Sequence, residues 1–194
     1  MNKIILASNN PNKVIEFKAI FKNHKIISLS ELGLNQDIPE TGSTLEENAL
    51  IKVREIFKIT NSTCISDDTG LEVNALNGAP GVFSARYAGE YANAQENVKK
   101  LLTKLDGLSD RKAQFRTVIA YKDSNQELLF DGIVQGSITL EPKGLSGFGY
   151  DPIFIPNNYQ LTFAEMSIDI KNKISHRSNA IKKLKAYFLS KDII

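Results

Sequence analysis

Two adjacent carboxylates directly follow a short apolar run, in the stretch Ser66-Asp67-Asp68-Thr69-Gly70. Neighbouring carboxylates repel each other, which favours either a raised pKa on one of them or a divalent cation held between them and a ligand. If Cys64-Ile65 begins a strand, Asp67 and Asp68 point to opposite faces, so we expect only one of them to face a given site. The same residue types also suit a solvated turn. The stretch alone does not decide between a site at a strand end and such a turn.

A second polar cluster, SNNPNK at residues 8–13, lies between an apolar run and an amphipathic pattern that predicts a helix. We expect one of residues 8–10 to cap this helix and Pro11 to occupy its first turn, which would leave free backbone amides at the loop. Helix N-termini of this kind bind phosphate, and Lys13 would add a positive charge. The loop lacks the glycines of a Walker motif, so an ordinary helix cap is the alternative interpretation.

Thr44 and Glu47 have the spacing of a capping box and precede another amphipathic pattern. Asn48 and Lys52 lie four residues apart and therefore share one helix face, next to Glu47. This spacing predicts a helix edge that carries an acid, an amide and a cation. Helices also carry such edges for solubility alone.

Residues 144–152 place glycines around Phe148 and Tyr150. Glycine permits close backbone approach, and an aromatic ring offers a stacking surface for a flat ligand. The alternative is a tight core turn in which Phe148 is buried.

The whole chain has the composition of a folded protein. It contains 194 residues, of which 42% are hydrophobic and 24% charged, enough for one domain or a pair of closely joined lobes. The first apolar run is too short for a signal peptide or a membrane span, so we expect a cytoplasmic protein. Cys64 is the only cysteine, which excludes an intramolecular disulfide. The formal net charge of +2 gives no electrostatic case for binding nucleic acid.

The elements that must position these clusters alternate between strand and helix patterns. Strands are predicted at 3–7, 25–29, 71–73, 114–121 and 128–134, and helices begin after residue 10, after Thr44 and after Asn93, the last running through Asp106. The turn signal at residues 122–125 predicts an antiparallel hairpin. A final helix is predicted from the apolar spacing of Ile181, Leu184 and Phe188. We therefore expect an α/β fold with a mixed sheet.

The chain resembles the inosine triphosphate pyrophosphatase family from end to end. The residues that carry the resemblance are SNNPNK at 8–13, ETGSTLEENALIK at 40–52, SDDTGLEVNALNGAPGVFSARYAG at 66–89, GFGYDPIF at 147–154 and AEMSIDIKNKISHR at 164–177. Five motifs in the family's order are far more specific than any one of them.

The resemblance implies one domain over residues 1–194, with an elongated mixed sheet flanked by helices and two lobes around a central cleft. It implies a homodimer that, with Mg²⁺, converts non-standard purine nucleoside triphosphates, namely ITP, dITP and XTP, to the monophosphate and pyrophosphate. Asp68 would accept the proton of the attacking water and contact the metal together with Glu40. Thr69 stands where the family more often has serine, and its hydroxyl would bind substrate.

The remaining site residues are also implied by the resemblance, as two groups. Residues expected to hold the phosphates are Ser8, Asn9, Asn10, Pro11, Asn12, Lys13 and Lys52. Residues expected to bind the nucleoside are Phe148, Gly149, Tyr150, Asp151, Lys171, His176 and Arg177. Donors from Arg177 or His176 would pair with a 6-oxo group, whereas the 6-amino group of adenine would present a donor to a donor.

The sequence leaves three alternative functions open. One is a pyrophosphatase for other modified nucleotides, and another is a nucleotide-binding sensor without turnover. The presence of Asp68, Glu40 and Lys13 disfavours the sensor. A nucleic-acid-binding role would depend on the basic terminal segment alone, and no matching motif accompanies it.

Overall fold

The computed structural model describes residues 3–21, 24–34, 38–91 and 93–191, and within these ranges the chain forms seven strands and five α-helices. The strands are β1 (Lys3–Leu6), β2 (Lys25–Ser28), β3 (Cys64–Val73), β4 (Pro80–Gly81), β5 (Lys112–Lys122), β6 (Glu127–Ile138) and β7 (Phe154–Pro156). The helices are α1 (Pro11–Ile20), α2 (Leu45–Thr60), α3 (Ala94–Lys104), α4 (Ile168–Ile174) and α5 (His176–Ser190). No helix in the described ranges is long and apolar enough to cross a membrane.

The strands form a mixed sheet. They hydrogen-bond in the order β2-β1-β3-β5-β6-β7, and β4 pairs with β3. β1 runs parallel to both β2 and β3, whereas β4 is antiparallel to β3 and β7 is antiparallel to β6. The predicted mixed α/β class is therefore confirmed.

The acidic stretch lies inside β3 and not at a strand end or in a turn. The sequence predicted a strand at 71–73 and left the acidic stretch before it open between a strand end and a turn. Asp and Gly also have low strand propensity. In the structure Asp67, Asp68 and Gly70 are all buried members of one ten-residue strand. The low strand propensity is overridden here because neighbouring side chains pair with both carboxylates.

Other element boundaries differ from the prediction in a few places. The sequence did not predict α4, a helix of seven residues whose N-cap is Ser167. α3 ends at Lys104 and not at Asp106, because the backbone of Leu105 leaves the helical conformation. Its predicted cap is confirmed, since Asn93 forms a full capping box with Glu96.

The chain divides into two compact units, each made of discontinuous segments. The first unit comprises Met1–Asp68, Thr117–Gly132 and Arg177–Ile194, and the second comprises Thr69–Arg116 and Ile133–His176. Strands β3, β5 and β6 each contribute residues to both units. The prediction of a single family domain over residues 1–194 stays a prediction.

Each unit has its own apolar core. In the first, residues of α1 and α5 such as Phe17 and Leu184 pack with strand residues such as Leu6 and Ile119. In the second, the core includes Leu101 of α3 together with strand residues and the loop residues around Tyr150 and Phe163. The two cores provide the fixed backbones that carry the candidate site residues.

Two side chains of β3 hold α2 in place. The Ser66 hydroxyl donates to the Ala49 carbonyl over 2.6 Å, and the buried Cys64 thiol donates to the Val53 carbonyl over 3.3 Å. These contacts place the helix face that carries Asn48 beside the acidic part of the strand.

Candidate functional site

The SNNPNK loop connects β1 to α1, and its helix cap is Asn10. The Asn10 side chain accepts hydrogen bonds from the backbone N–H groups of Asn12 at 3.0 Å and Lys13 at 3.3 Å. The prediction that this helix would leave free amides is therefore wrong for these two groups, because the cap already uses them. Pro11 carries no amide hydrogen, so side chains must supply most of the donors at this loop.

Asn9 contributes a further polar group to this loop. Its side-chain nitrogen donates to the Leu34 carbonyl over 3.3 Å. Its side-chain oxygen is buried and has no hydrogen-bond partner among the described residues. A buried oxygen of this kind is suited to accept a hydrogen bond from a ligand or a water.

Lys13 extends from the loop to β3 and contacts Asp67. Its ammonium lies 3.1 Å from Asp67 Oδ1 and 3.3 Å from the Asp67 carbonyl oxygen. Burial lowers the pKa of Lys13, and the nearby charges of Lys52 and Arg177 lower it further, against the opposing effect of Asp67. Lys13 is thus a positive charge whose counterion is a fully buried carboxylate.

Asp67 is shared between Lys13 and Arg177. Arg177 Nε donates to Asp67 Oδ2 over 3.0 Å, and Arg177 Nη1 contacts the buried carboxylate of Glu16. Burial would raise the pKa of Asp67, but Lys13, Arg177 and Lys52 outweigh it and hold that pKa below its ordinary value. The pKa of Arg177 is raised for the converse reason, because Asp67 and Glu16 outweigh its burial. Asp67 therefore stays ionised and orients two cations.

Asp68 has different partners and the opposite pKa shift. Its Oδ2 accepts from the Asn48 amide nitrogen at 3.2 Å, and its Oδ1 accepts from the Lys52 ammonium at 3.2 Å. Burial raises the pKa of Asp68, and the nearby negative charge of Glu40 adds to the effect, while Lys52 opposes it. Of the two adjacent carboxylates, Asp68 is therefore the better proton acceptor.

Lys52 connects Asp68 to Glu40. Its ammonium donates to Glu40 Oε1 over 2.7 Å and to the Asp67 carbonyl over 2.7 Å. Burial would lower the pKa of Lys52, but the negative charges of Asp68 and Glu40 outweigh this effect and raise that pKa.

The predicted helix edge is thus confirmed for Asn48 and Lys52, which both donate to Asp68. Glu47, the acid of that prediction, is exposed and instead accepts from Ser43.

In the second unit, Asp151 and Lys171 form a buried pair. Lys171 Nζ lies 2.6 Å from Asp151 Oδ2, which also accepts from the Phe148 backbone N–H at 2.8 Å. The same ammonium lies 4.8 Å from the centre of the Phe148 ring. Gly147 is required here, because a Cβ at this position would lie 2.2 Å from Asp151 Oδ2. The half-buried Phe148 ring is therefore oriented by a carboxylate at its backbone and a cation on its face.

Tyr150 and His176 are buried in the second unit by different contacts. The Tyr150 hydroxyl donates to the Ser84 carbonyl over 2.9 Å, and burial raises its pKa. The His176 ring stacks on Phe115, with ring centres 4.6 Å apart and planes 17° from parallel. The two neighbours in the sequence, His176 and Arg177, thus belong to different units.

The candidate residues therefore form two groups, each within one unit. The first unit contains residues 8–13, Glu40, Lys52, Asp68 and Arg177, and the second contains Thr69, residues 148–151, Lys171 and His176. Glu16 was not predicted as a site residue, although its position three residues after Lys13 and next to the core residue Phe17 could have indicated it. It also missed Ser84, for which the sequence offered no local signal.

Comparisons with known proteins give consistent results. The model of the Ham1 family matches residues 4–187 of this chain. Proteins named dITP/XTP pyrophosphatase from Flavobacterium psychrophilum and Thermoanaerobacter pseudethanolicus are each 49% identical to it, over 187 and 193 residues. These alignments cover 96% and 97% of this chain and 98% of each relative. The solved structure of the Staphylococcus aureus Ham1 protein is 46% identical, with a TM-score of 0.90, and the match covers 98% of this chain and 100% of that one.

Proposed function

Because this chain belongs to the Ham1 family, we propose that it hydrolyses non-standard purine nucleoside triphosphates, in particular dITP, XTP and ITP, to the monophosphate and pyrophosphate. The family match confirms the resemblance to inosine triphosphate pyrophosphatases that the five motifs indicated. The chain is accordingly a hydrolase that acts on a phosphoric anhydride bond.

The observation that carries this proposal is the buried charge cluster around Asp68 in the first unit. In the reaction, water adds to phosphorus, the anhydride bond between the α- and β-phosphates breaks, and pyrophosphate leaves. Asp68 accepts a proton from the attacking water, a role that its raised pKa suits. Lys13 and Lys52 neutralise the phosphate oxygens and the charge that grows on the leaving pyrophosphate.

We propose that Mg²⁺ binds with the substrate, held by Asp68 and Glu40. In the described part of the chain, no group of three or more His, Cys, Asp or Glu side chains is placed to hold a metal alone. This fits Mg²⁺, which commonly takes one or two protein carboxylates and completes its shell with substrate phosphates and water. The ion would add positive charge at the phosphates and stabilise the leaving group.

The charge balance of the cluster also supports a cation. Around Lys13, Lys52 and Arg177 lie four carboxylates, those of Glu16, Glu40, Asp67 and Asp68. The set thus carries more negative than positive charge before a triphosphate arrives. A divalent cation that enters with the nucleotide would offset part of the combined negative charge of these carboxylates and the triphosphate.

For the nucleoside end we propose the second-unit group, Thr69, Phe148, Gly149, Tyr150, Asp151, Lys171 and His176. The half-buried ring of Phe148 supports stacking of the base, and Asp151 and Lys171 support the ring. Two nitrogens of Arg177 are engaged by carboxylates, so its pairing with a 6-oxo group stays a prediction.

We also retain three broader proposals. A cytoplasmic location is supported by the nucleotide substrate class, and the net charge of +2 supports the absence of nucleic-acid binding. The homodimer depends on the family resemblance. Light scattering coupled to gel filtration tests it, since a monomeric mass at assay concentration would contradict it.

The test of function is a nucleotide panel with purified protein and Mg²⁺. We expect dITP, XTP and ITP to be hydrolysed well above ATP and GTP, with the monophosphate and pyrophosphate as the first products by ion-exchange chromatography. Equal hydrolysis of ATP and ITP, or orthophosphate as the first product, would contradict the proposal. Preferred turnover of a pyrimidine or methylated nucleotide would favour a pyrophosphatase for other modified nucleotides. Binding of ITP without turnover would favour a sensor.

A further inference from the structure

Ser84 begins a short 3₁₀ turn of the second unit, Ser84–Arg86, and makes three hydrogen bonds. Its hydroxyl accepts from the Leu71 backbone N–H at 2.9 Å and donates to the Gly81 carbonyl at 2.6 Å. Its own carbonyl accepts from the Tyr150 hydroxyl at 2.9 Å. The residue is 8% exposed, so water does not readily replace these bonds.

The Ser84 hydroxyl occupies an unusual position in the sheet. Leu71 of β3 and Gly81 of β4 are register partners in the antiparallel pair. The hydroxyl accepts from the Leu71 N–H and donates to the Gly81 carbonyl, so it bridges β3 and β4 within the sheet. Removing it would leave a buried donor and a buried acceptor without their present partner, which destabilises the pairing of the two strands.

The strands are also close together next to this bridge. A Cβ on Gly70 would lie 2.6 Å from the Gly81 carbonyl oxygen, so only glycine fits there. Thr69, a candidate substrate residue, directly precedes Gly70. The bridge therefore fixes the backbone immediately after Thr69.

The third bond of Ser84 fixes a different candidate residue. A buried tyrosine hydroxyl normally requires a partner, and for Tyr150 that partner is the Ser84 carbonyl. The Tyr150 hydroxyl is thus used inside the protein, and the buried ring packs in the apolar core of the second unit. Ser84 therefore hydrogen-bonds both to the strand after Thr69 and to the Tyr150 side chain.

We propose that Ser84 is a positioning residue for the nucleoside end of the substrate, acting through Tyr150 and the backbone next to Thr69. It touches no reacting atom, and it determines how tightly the nucleoside binds and not how fast the anhydride bond breaks. This inference rests on the proposed function for the identity of the ligand.

The test compares Ser84→Ala, Tyr150→Phe and the double variant with the wild type, using dITP. For each single variant we expect KM to rise by about 5- to 20-fold while kcat changes by less than about 3-fold, the pattern of lost binding without lost chemistry. Ser84→Ala removes the strand bridge and keeps the carbonyl that Tyr150 uses, whereas Tyr150→Phe removes the bond to that carbonyl. Because the two changes break successive links of one connection, the double variant should raise KM little beyond the larger single effect. Tyr150→Phe keeps the ring and the serine, so it tests the proposal even if Ser84→Ala folds poorly.

Thr162→Val is the matched control. It removes another hydroxyl of the second unit that donates to a backbone carbonyl, that of Lys143 at 2.9 Å. We expect it to lower the melting temperature like Ser84→Ala and to leave KM unchanged. If Thr162→Val and Ser84→Ala raise KM equally, or if the effects of Ser84→Ala and Tyr150→Phe multiply, the positioning role is wrong.

Calorimetric titration of dITP without Mg²⁺ separates this inference from the proposed function. A wild type that binds dITP in this titration and still shows no turnover after Mg²⁺ is added would contradict the function, and the dissociation constants of the variants would still test Ser84. Unchanged dissociation constants in both single variants would overturn the inference.

Discussion

The two units carry candidate residues of different chemical character. In the first, the carboxylates of Asp67 and Asp68 and the cations around them are buried together. The pKa values of the two acids shift in opposite directions, because burial raises that of Asp68 whereas the neighbouring cations outweigh burial at Asp67. In the second, aromatic rings predominate, and the buried charges of Asp151 and Lys171 are paired at 2.6 Å. A charged cluster suits water activation and phosphate binding, whereas a neutralised pair behind a ring suits recognition of a flat base. We therefore expect substitutions in the first unit to change kcat and those in the second to change KM.

The largest expected effect is that of Asp68→Asn. The amide cannot accept the proton from water, so we expect kcat for dITP to fall by about 10²–10⁴-fold. The dissociation constant for dITP, measured by calorimetry, should change by less than about 3-fold, because the change preserves size and the phosphate-binding lysines remain. Unchanged kcat would remove Asp68 from its assigned role.

Asp67→Asn tests the carboxylate that holds Lys13 and Arg177. Removing one partner of a buried ion pair typically costs about 3–5 kcal/mol, and we expect a loss of this size in the free energy of unfolding from urea titration. We also expect lower kcat, because Lys13 loses its fixed position. Asp151→Asn is the matched change in the second unit and should raise KM more than it lowers kcat. If both variants change kcat alike, the division between the units is wrong.

Phe148→Ala tests the stacking surface of the second unit. Base–aromatic stacking contributes about 1–3 kcal/mol by alanine substitution, so we expect KM for dITP to rise by at least about 5-fold. Phe148→Tyr keeps the ring and should bind nearly as the wild type does. An unchanged KM in Phe148→Ala would show that the base does not stack on this ring.

Glu127→Gln is expected to have the smallest effect and tests whether every charged group of the first unit matters for turnover. Hydrogen bonds from Arg54 and Lys122 lower the pKa of Glu127 from 4.5 to about 2. A carboxyl with a lowered folded-state pKa stabilises the fold above its unfolded-state pKa, and this contribution disappears as the pH falls towards the folded-state value. The free energy of unfolding of the variant should therefore be lower at pH 7 by no more than about 1 kcal/mol, which lowers its melting temperature slightly. The difference should vanish near pH 2. A large drop in kcat would contradict the comparison.

The sequence predicted local features of the site better than long-range ones. Helix spacing placed Asn48 and Lys52 on one face, and the structure brings both to Asp68. The pairing of Asp67 with Arg177 joins residues 110 positions apart, and no periodicity reports such a contact. The amides at the SNNPNK loop were misjudged although this contact is local, because the predicted cap itself occupies the N–H groups two and three residues further on.

The buried thiol of Cys64 has a practical consequence. Burial raises its pKa to about 12, so it is almost entirely protonated near neutral pH and reacts slowly with oxidants and alkylating reagents. Its contact with the Val53 carbonyl places it under α2, and it is the only cysteine of the chain. The rate at which a thiol reagent modifies the native protein therefore reports how often this helix opens from the sheet, without any engineered label.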